Sequence, residues 1–173
     1  IFERDPNVLY CSVHQYPYYP GTGAATEVGE GAAVGLTVNV PLEGGATDDD
    51  YHDVFDQIII PVVRAFRPDL ILVSAGLDAH EHDPLGGMRL TTPSFGAMTM
   101  ALRLAADECC DGRIVAVTEG GYDLRAFRDS LLSVVDALGA EQSAAPAWPS
   151  SAVSSTRGAA AVAATRAALG RVR

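Results

Sequence analysis

Two kinds of hydrophobic pattern alternate along the chain. Continuous apolar runs, which are typical of strands in a parallel sheet, occur at residues 8–13, 36–42, 70–75 and 113–118. Between and after these runs, apolar residues recur at helical spacing and predict helices at residues 47–67, 91–112, 125–138 and 159–169. This order of elements predicts an α/β fold with a mainly parallel sheet flanked by helices.

The same pattern predicts which parts of these elements are buried. Residues 70–75 and 113–118 are expected to form strands buried on both faces, because their apolar residues run on without alternation. Pro61 should kink the first helix, since proline has no N–H to donate. The third helix is expected to place five apolar side chains on its buried side: Phe127, Leu131, Val134, Val135 and Leu138.

The composition of the chain changes near residue 141. Residues 141–156 are rich in Ser, Ala and Pro, which predicts a linker. Residues 157–173 predict an alanine-rich helical tail beyond that linker. Residues 1–140 then remain as the main folded part of the chain.

The acidic composition argues against some classes of partner. The net charge is −10, whereas direct nucleic-acid binding requires a basic surface. No apolar run approaches the roughly 18 residues that a membrane-spanning helix needs, and we find no signal-peptide pattern. The chain has three cysteines, and this odd number predicts no disulfide framework. The absence of a predicted framework favours a reducing, cytoplasmic location.

Side chains suited to catalysis or metal binding follow the predicted strand at residues 70–75. Within six residues the chain carries Asp78, His80, His82 and Asp83. The carboxyl ends of parallel strands are where α/β proteins gather ligands, and Asp and His suit zinc or another first-row divalent ion. A solvated loop in which Asp78 caps the local turn is the alternative interpretation, and it stays open here.

A second set of candidate residues follows the strand at residues 113–118. Tyr122 comes after a pair of glycines there, and parallel pairing would place it at the same sheet edge as Asp83. Residues 15–23 form a stiff loop of tyrosine, proline and glycine, which either lines a pocket or covers the core. The glycines at 27–31 precede no helix, so a nucleotide-binding module is the poorer hypothesis.

Short motifs in a fixed order resemble one known protein family. They are Ser12-Val13-His14-Gln15, Tyr19-Pro20-Gly21-Thr22-Gly23, Thr37-Val38-Asn39-Val40-Pro41-Leu42, Ser74-Ala75-Gly76-Leu77-Asp78-Ala79-His80, Asp83-Pro84-Leu85-Gly86 and Glu119-Gly120-Gly121-Tyr122. Over residues 1–138 the chain is similar to the second half of zinc-dependent histone deacetylases of the bacterial and class II type. Acetylpolyamine amidohydrolases and acetoin-utilisation proteins are close relatives of that group. The resemblance implies the arginase–deacetylase α/β fold, which agrees with the predicted order of elements.

The resemblance also implies a mechanism for the hydrolysis of acetyl groups on lysine or on polyamines. In that family zinc polarises the acetamide carbonyl and activates the attacking water. By resemblance, Asp83 is one of the zinc ligands, and Tyr122 donates a hydrogen bond to the carbonyl oxygen as its negative charge develops. The substrate channel would be lined by Tyr19, Leu90, Gly120 and Gly121.

Further roles follow from the same resemblance. Asp78 would support the zinc ligand or its loop without binding the metal, and neither His80 nor His82 would bind zinc. One structural potassium site would use the Ser12 hydroxyl and the Val13 carbonyl. A second potassium site would use residues Phe2, Asp5 and Val8.

Some expected residues are not in the sequence. By resemblance, the family's other two zinc ligands come from an Asp-x-His motif on an earlier loop and its general base from a His-His pair earlier still, and neither of these loops is in the sequence. Because hydrolytic zinc needs three protein ligands, we expect residues 1–140 to be the carboxyl-terminal part of a deacetylase-like domain. Such a chain would be inactive without the missing amino-terminal half as its partner. A non-catalytic fragment or scaffold is the alternative hypothesis, and homo-oligomerisation is left open.

Overall fold

Parallel strand pairs form the framework of the protein. The computed structural model describes residues 1–141 and 144–172. Strand β1 (Tyr10–Gln15) pairs in parallel with β2 (Thr37–Leu42), and β3 (Ile71–Ala75) pairs in parallel with β4 (Ile114–Thr118). The predicted α/β class and parallel pairing are confirmed. Within the described residues, however, the strands form two separate two-stranded sheets.

The first predicted helix is divided into three segments. Helix α1 (Asp48–Val54) runs into a π-helical segment (Phe55–Ile59) and then into α2 (Ile60–Phe66). Pro61, where a kink is predicted, is the second residue of α2 and lies two residues after the end of the π-helical segment. Pro61 has no N–H for the Gln57 carbonyl four residues earlier, and Arg166 donates to that carbonyl at 3.3 Å.

The remaining helices are α3 (Thr92–Cys110), α4 (Leu124–Gly139) and α5 (Arg157–Leu169), and a short 3₁₀ turn lies at Gly31–Ala33. Helices α3 and α4 pack against each other. Helix α3 ends at Cys110, and the next residue, Asp111, adopts the left-handed conformation with φ 50°. Asp123 caps α4, because its Oδ1 accepts from the N–H groups of Arg125 and Ala126. Among the described residues, none of the helices combines the length and the apolar character that crossing a membrane requires.

The expectation that β3 and β4 are buried on both faces is wrong. Ile71 is buried, and Val73 and Ile114 are partly covered against the core. On the opposite face, Leu72 is 72% exposed and Val117 is 60% exposed. Alternate side chains of a strand point to opposite faces, and the described residues cover only one of them.

The expected buried face of α4 is correct except at Val135, which is 53% exposed. Val134, its neighbour, is 6% exposed and carries that part of the contact with the core. Successive helical residues are separated by about 100°, so both valines cannot face the core equally.

Helix α5 is part of the hydrophobic core, although the sequence predicted a tail. Val162 and Leu169 are buried in the main cluster, and the Thr165 hydroxyl donates to the Asn39 carbonyl of β2 at 2.8 Å. Residues 144–156 contain no helix or strand. They are nevertheless fixed on α1, because Trp148 stacks on His52 with ring centroids 4.7 Å apart.

Candidate functional site

The ends of β3 and β4 meet at the carboxylate of Asp83. Its Oδ1 accepts hydrogen bonds from the N–H groups of Leu85 and Gly86, both at 2.9 Å. Its Oδ2 accepts from the Tyr122 N–H at 2.7 Å. The predicted convergence of the two strand ends is therefore confirmed, and one buried carboxylate joins the two loops.

These hydrogen bonds decide the charge of Asp83. Burial alone would raise the pKa of this carboxyl, but the backbone N–H groups of Gly86, Tyr122 and Leu85 outweigh burial and lower the pKa below its ordinary value. Asp83 is therefore ionised at neutral pH. The pKa of Asp78 shifts in the opposite direction, because burial and the negative charge of Asp83 both raise it.

The two glycines before Tyr122 are needed for close packing. A Cβ added at Gly120 would lie 2.5 Å from Oδ2 of Asp78. Gly121 has φ +142°, and a Cβ there would lie 2.6 Å from Cδ2 of Phe127. The backbone can therefore pass between Asp78 and α4, and so bring the Tyr122 N–H to Asp83, only because both positions lack side chains.

The three side chains predicted to contact substrate have very different exposures. Tyr122 is 57% exposed and Tyr19 is 92% exposed, so both can face a ligand. Leu90 is 0% exposed and belongs to the main hydrophobic cluster. The placement of Leu90 along an open channel is therefore not supported, because core residues surround its side chain completely.

Both ring nitrogens of His80 are occupied by protein groups. Nδ1 accepts from the His82 N–H at 3.1 Å, so Nε2 carries the proton and donates to the Thr92 hydroxyl at 3.1 Å. Burial and His82 lower the pKa of His80, which keeps the ring neutral. Both nitrogens are thus engaged within the protein, and the exclusion of His80 as a metal ligand stays a prediction. His80 and His82 help to line a polar cleft of about 570 Å³ whose lining includes neither Asp83 nor Tyr122.

The residues predicted to bind potassium lie in and before β1. The Ser12 hydroxyl is 2.9 Å from Nδ1 of His14, and Val13 pairs with Val40 of β2. The Phe2 carbonyl accepts from the Asp5 N–H at 3.0 Å, and the Asp5 carbonyl accepts from the Val8 N–H at 3.3 Å. Each of these carbonyls keeps one lone pair after that bond.

The site offers one carboxylate oxygen to a zinc ion. Oδ2 of Asp83 accepts one backbone hydrogen bond, so it retains a lone pair for a cation. Residues 1–141 and 144–172 contain no cluster of three or more His, Cys, Asp or Glu side chains arranged to hold a metal. The described residues therefore fit one coordination position of a zinc ion and do not supply the others.

Hydrogen bonds between residues far apart in sequence fix the loops around Asp83. Asp48 lies in the first turn of α1, and its Oδ1 accepts from the Thr91 N–H at 2.8 Å and from the Ser94 hydroxyl at 2.6 Å. Asp48 thereby holds the first turn of α3 beside the Asp83 loop. No local sequence signal could have revealed a contact over more than 40 residues.

The chain is similar in sequence to known histone deacetylases. Residues 1–138 match the histone deacetylase domain. The chain is 42% identical over 144 residues to histone deacetylase 14, chloroplastic, from Arabidopsis thaliana, covering 83% of this chain and 34% of the relative. It is 47% identical over 124 residues to a probable deacetylase from Archaeoglobus fulgidus, covering 72% of this chain and 34% of the relative. The chain thus spans about a third of the length of these curated relatives.

Solved structures agree with this match. The crystal structure of the HDA15 HD domain has a TM-score of 0.86 and 36% identity, and the alignment covers 99% of this chain and 47% of that chain. The structure of the histone deacetylase Clr3 has a TM-score of 0.88 and 33% identity, and the alignment covers 99% of this chain and 29% of that chain. Because these alignments cover nearly the whole chain, they include helix α5.

Proposed function

The chain belongs to the histone deacetylase family, and we propose that the protein containing it is a zinc-dependent amidohydrolase. Its substrates would carry acetyl groups on lysine side chains or on polyamines. The observation that supports this proposal most directly is the hydrogen bond between Tyr122 N–H and Asp83 Oδ2 at 2.7 Å. Within the range that matches the family, this bond joins a candidate metal ligand to a candidate substrate-binding residue.

Asp83 is proposed as one ligand of the zinc ion. Its lowered pKa keeps it ionised, and its three backbone hydrogen bonds hold the carboxylate in one orientation. A bound zinc ion would polarise the acetamide carbonyl and make a water molecule more acidic. The other ligands and the histidine base would come from polypeptide outside residues 1–173.

Tyr122 is proposed to bind the substrate carbonyl. Its hydroxyl would donate a hydrogen bond to the carbonyl oxygen as negative charge develops there. The phenol ring is more than half exposed, so substrate can reach it. The backbone hydrogen bond from Tyr122 to Asp83 would keep the Tyr122 backbone next to the proposed metal ligand. Tyr19, which is largely exposed, is proposed to border the entrance to this site.

Two supporting potassium sites are also proposed. The carbonyls of Phe2, Asp5 and Val8 would contribute to one of them, and the Ser12 hydroxyl with the Val13 carbonyl to the other. Carbonyl oxygens can replace the hydration shell of K⁺, and those of Phe2 and Asp5 keep a lone pair for this purpose. The cytoplasmic location stays a prediction, since the similar Arabidopsis protein is named chloroplastic.

The proposed activity can be tested on the full-length protein. We expect bound zinc and the release of acetate from an acetyl-lysine peptide or from an N-acetylated polyamine. Tyr122→Phe should lower kcat by about 10²–10³-fold, as the loss of one oxyanion donor does elsewhere. Zinc content should be unchanged in this variant, and Tyr10→Phe, which removes a hydroxyl from half-exposed Tyr10 in β1, serves as the control.

Two outcomes would count against the assignment. If Tyr122→Phe lost zinc, the tyrosine would be acting on the metal site and not on substrate. If the full-length protein neither bound zinc nor released acetate, the non-catalytic alternative would be favoured.

A further inference from the structure

The loop that carries Asp83 is held by two side chains from a distant part of the chain. The Tyr18 hydroxyl donates to the Leu85 carbonyl at 2.8 Å. Oε1 of Gln15 accepts from the Gly87 N–H at 2.9 Å. Gln15 is the last residue of β1, which belongs to the other strand pair. The two contacts span 67 and 72 residues of sequence, so neither arises from local chain geometry.

Each contact fixes a peptide group next to Gly86. The Leu85 carbonyl and the Gly86 N–H belong to one planar peptide group. Tyr18 holds the carbonyl end of that group, and the N–H end donates to Oδ1 of Asp83. A rotation of this peptide group would therefore break both hydrogen bonds together.

Gln15 holds the following peptide group through the Gly87 N–H. Gly86 thus has a restrained peptide group on each side. Glycine is the residue with the most backbone freedom to lose, so restraints from outside the loop matter most at this position. Both restraints come from side chains that are partly accessible, because Gln15 is partly exposed and Tyr18 is 51% exposed.

We infer that Gln15 and Tyr18 are positioning residues, which clamp residues 85–87 and so orient the Asp83 carboxylate toward its cation. The inference rests on the proposed function insofar as Asp83 binds zinc. It does not require either side chain to touch the metal or the substrate. Residues that orient metal ligands in this way typically change metal affinity or activity by about 10–100-fold when they are replaced.

The clamp is tested with paired variants of the full-length protein. Tyr18→Phe and Gln15→Met each remove one hydrogen bond with little change in side-chain volume. Gln15→Glu keeps an acceptor for the Gly87 N–H and is the conservative rescue. Tyr10→Phe, which removes a hydroxyl elsewhere, is the matched control.

Two measurements separate positioning from general stability. Hydrogen exchange reports the amides of residues 85–87, with the amides of β3 as an internal reference. Competition with a chelator gives the zinc dissociation constant. Tyr18→Phe and Gln15→Met should speed exchange at residues 85–87 alone and should raise the zinc dissociation constant by about 10-fold or more. Gln15→Glu should restore both values toward those of the wild type.

The results also distinguish the clamp from the proposed function. If the wild type binds zinc but the variants change neither exchange nor zinc affinity, the clamp is overturned and the enzyme assignment stands. Faster exchange with unchanged zinc affinity also overturns it, because the loop would then not orient the ligand. If the wild type binds no zinc, the proposed function fails, and local exchange at residues 85–87 alone decides whether the clamp exists.

Discussion

Replacing Asp50 with asparagine should destabilise the protein, because its buried carboxylate joins α1 to α5. Asp50 is 1% exposed. Its Oδ2 accepts from the N–H of Thr47 at 2.9 Å and from the Thr47 hydroxyl at 3.1 Å. Its Oδ1 accepts from the Gly158 N–H at 2.7 Å, at the start of α5. One buried carboxylate therefore starts α1 and fixes α5 against it.

The size of the effect follows from these contacts. An amide has only one acceptor oxygen, so in Asp50→Asn at least one backbone N–H faces another donor. Hydrogen bonds to a charged group contribute about 1.5–3 kcal/mol, and a buried donor left unpaired costs about 1–3 kcal/mol. We therefore expect a loss of about 2–3 kcal/mol in the free energy of unfolding. For a chain of this length that corresponds to a fall of roughly 4–12 °C in Tm.

Urea and thermal unfolding of Asp50→Asn measure this loss, and Asp49→Asn is the matched control. Asp49 lies in the same helical turn and feels the same helix dipole, but it is exposed and its carboxylate accepts from the Ser151 N–H. Its replacement should cost less than about 1 kcal/mol. Equal losses for the two variants would refute the argument, because the dipole alone would then explain both.

The carboxyl group of Asp50 should also make the free energy of unfolding depend on pH. Burial would raise the pKa of Asp50, but hydrogen bonds from Gly158, Thr47 and Ser155 outweigh it and lower the pKa below the ordinary value of 3.8. The folded state therefore binds the proton less readily than the unfolded state. The resulting stabilisation is complete above about pH 4 and is lost as the pH falls toward the lowered pKa. Asp50→Asn should lack this part of the acid dependence.

Three other predictions concern different parts of the fold. Gly121→Ala should lower the free energy of unfolding by about 1–3 kcal/mol and should reduce zinc binding in the full-length protein. Gly139→Ala is the control and should change neither value, because a Cβ at Gly139 meets no atom within 4 Å. We expect the isolated chain to aggregate, because Leu72 and Val117 form an exposed apolar face. Leu72→Lys combined with Val117→Lys should reduce this aggregation, as measured by light scattering. Unchanged aggregation would show that another surface is responsible. The pKa of His80 is lowered, so the stability that it contributes should be present above about pH 6.5 and lost below it. Urea unfolding should therefore show a smaller difference in the free energy of unfolding between pH 7.5 and pH 5.5 for His80→Gln than for the wild type.

Local pattern was sufficient to predict the elements and the sheet edge that Asp83 shares with Tyr122. Apolar runs and helical spacing depend on neighbours along the chain, and the predicted helices and strands are present with small shifts at their ends. Parallel strands also place their carboxyl ends at one sheet edge. That rule predicted only that Tyr122 and Asp83 share this edge, and the hydrogen bond between them belongs to the tertiary structure.

The tertiary structure decided which surfaces these elements bury and which side chains hold the site. Leu90 is in the core and Leu72 is in solvent, although both are apolar residues of the predicted domain. Helix α5 packs on β2, and Tyr18 reaches the Asp83 loop. The physical reason is that burial and hydrogen bonding depend on partners many tens of residues away. A periodic sequence pattern indicates that an apolar face exists but does not identify what covers it.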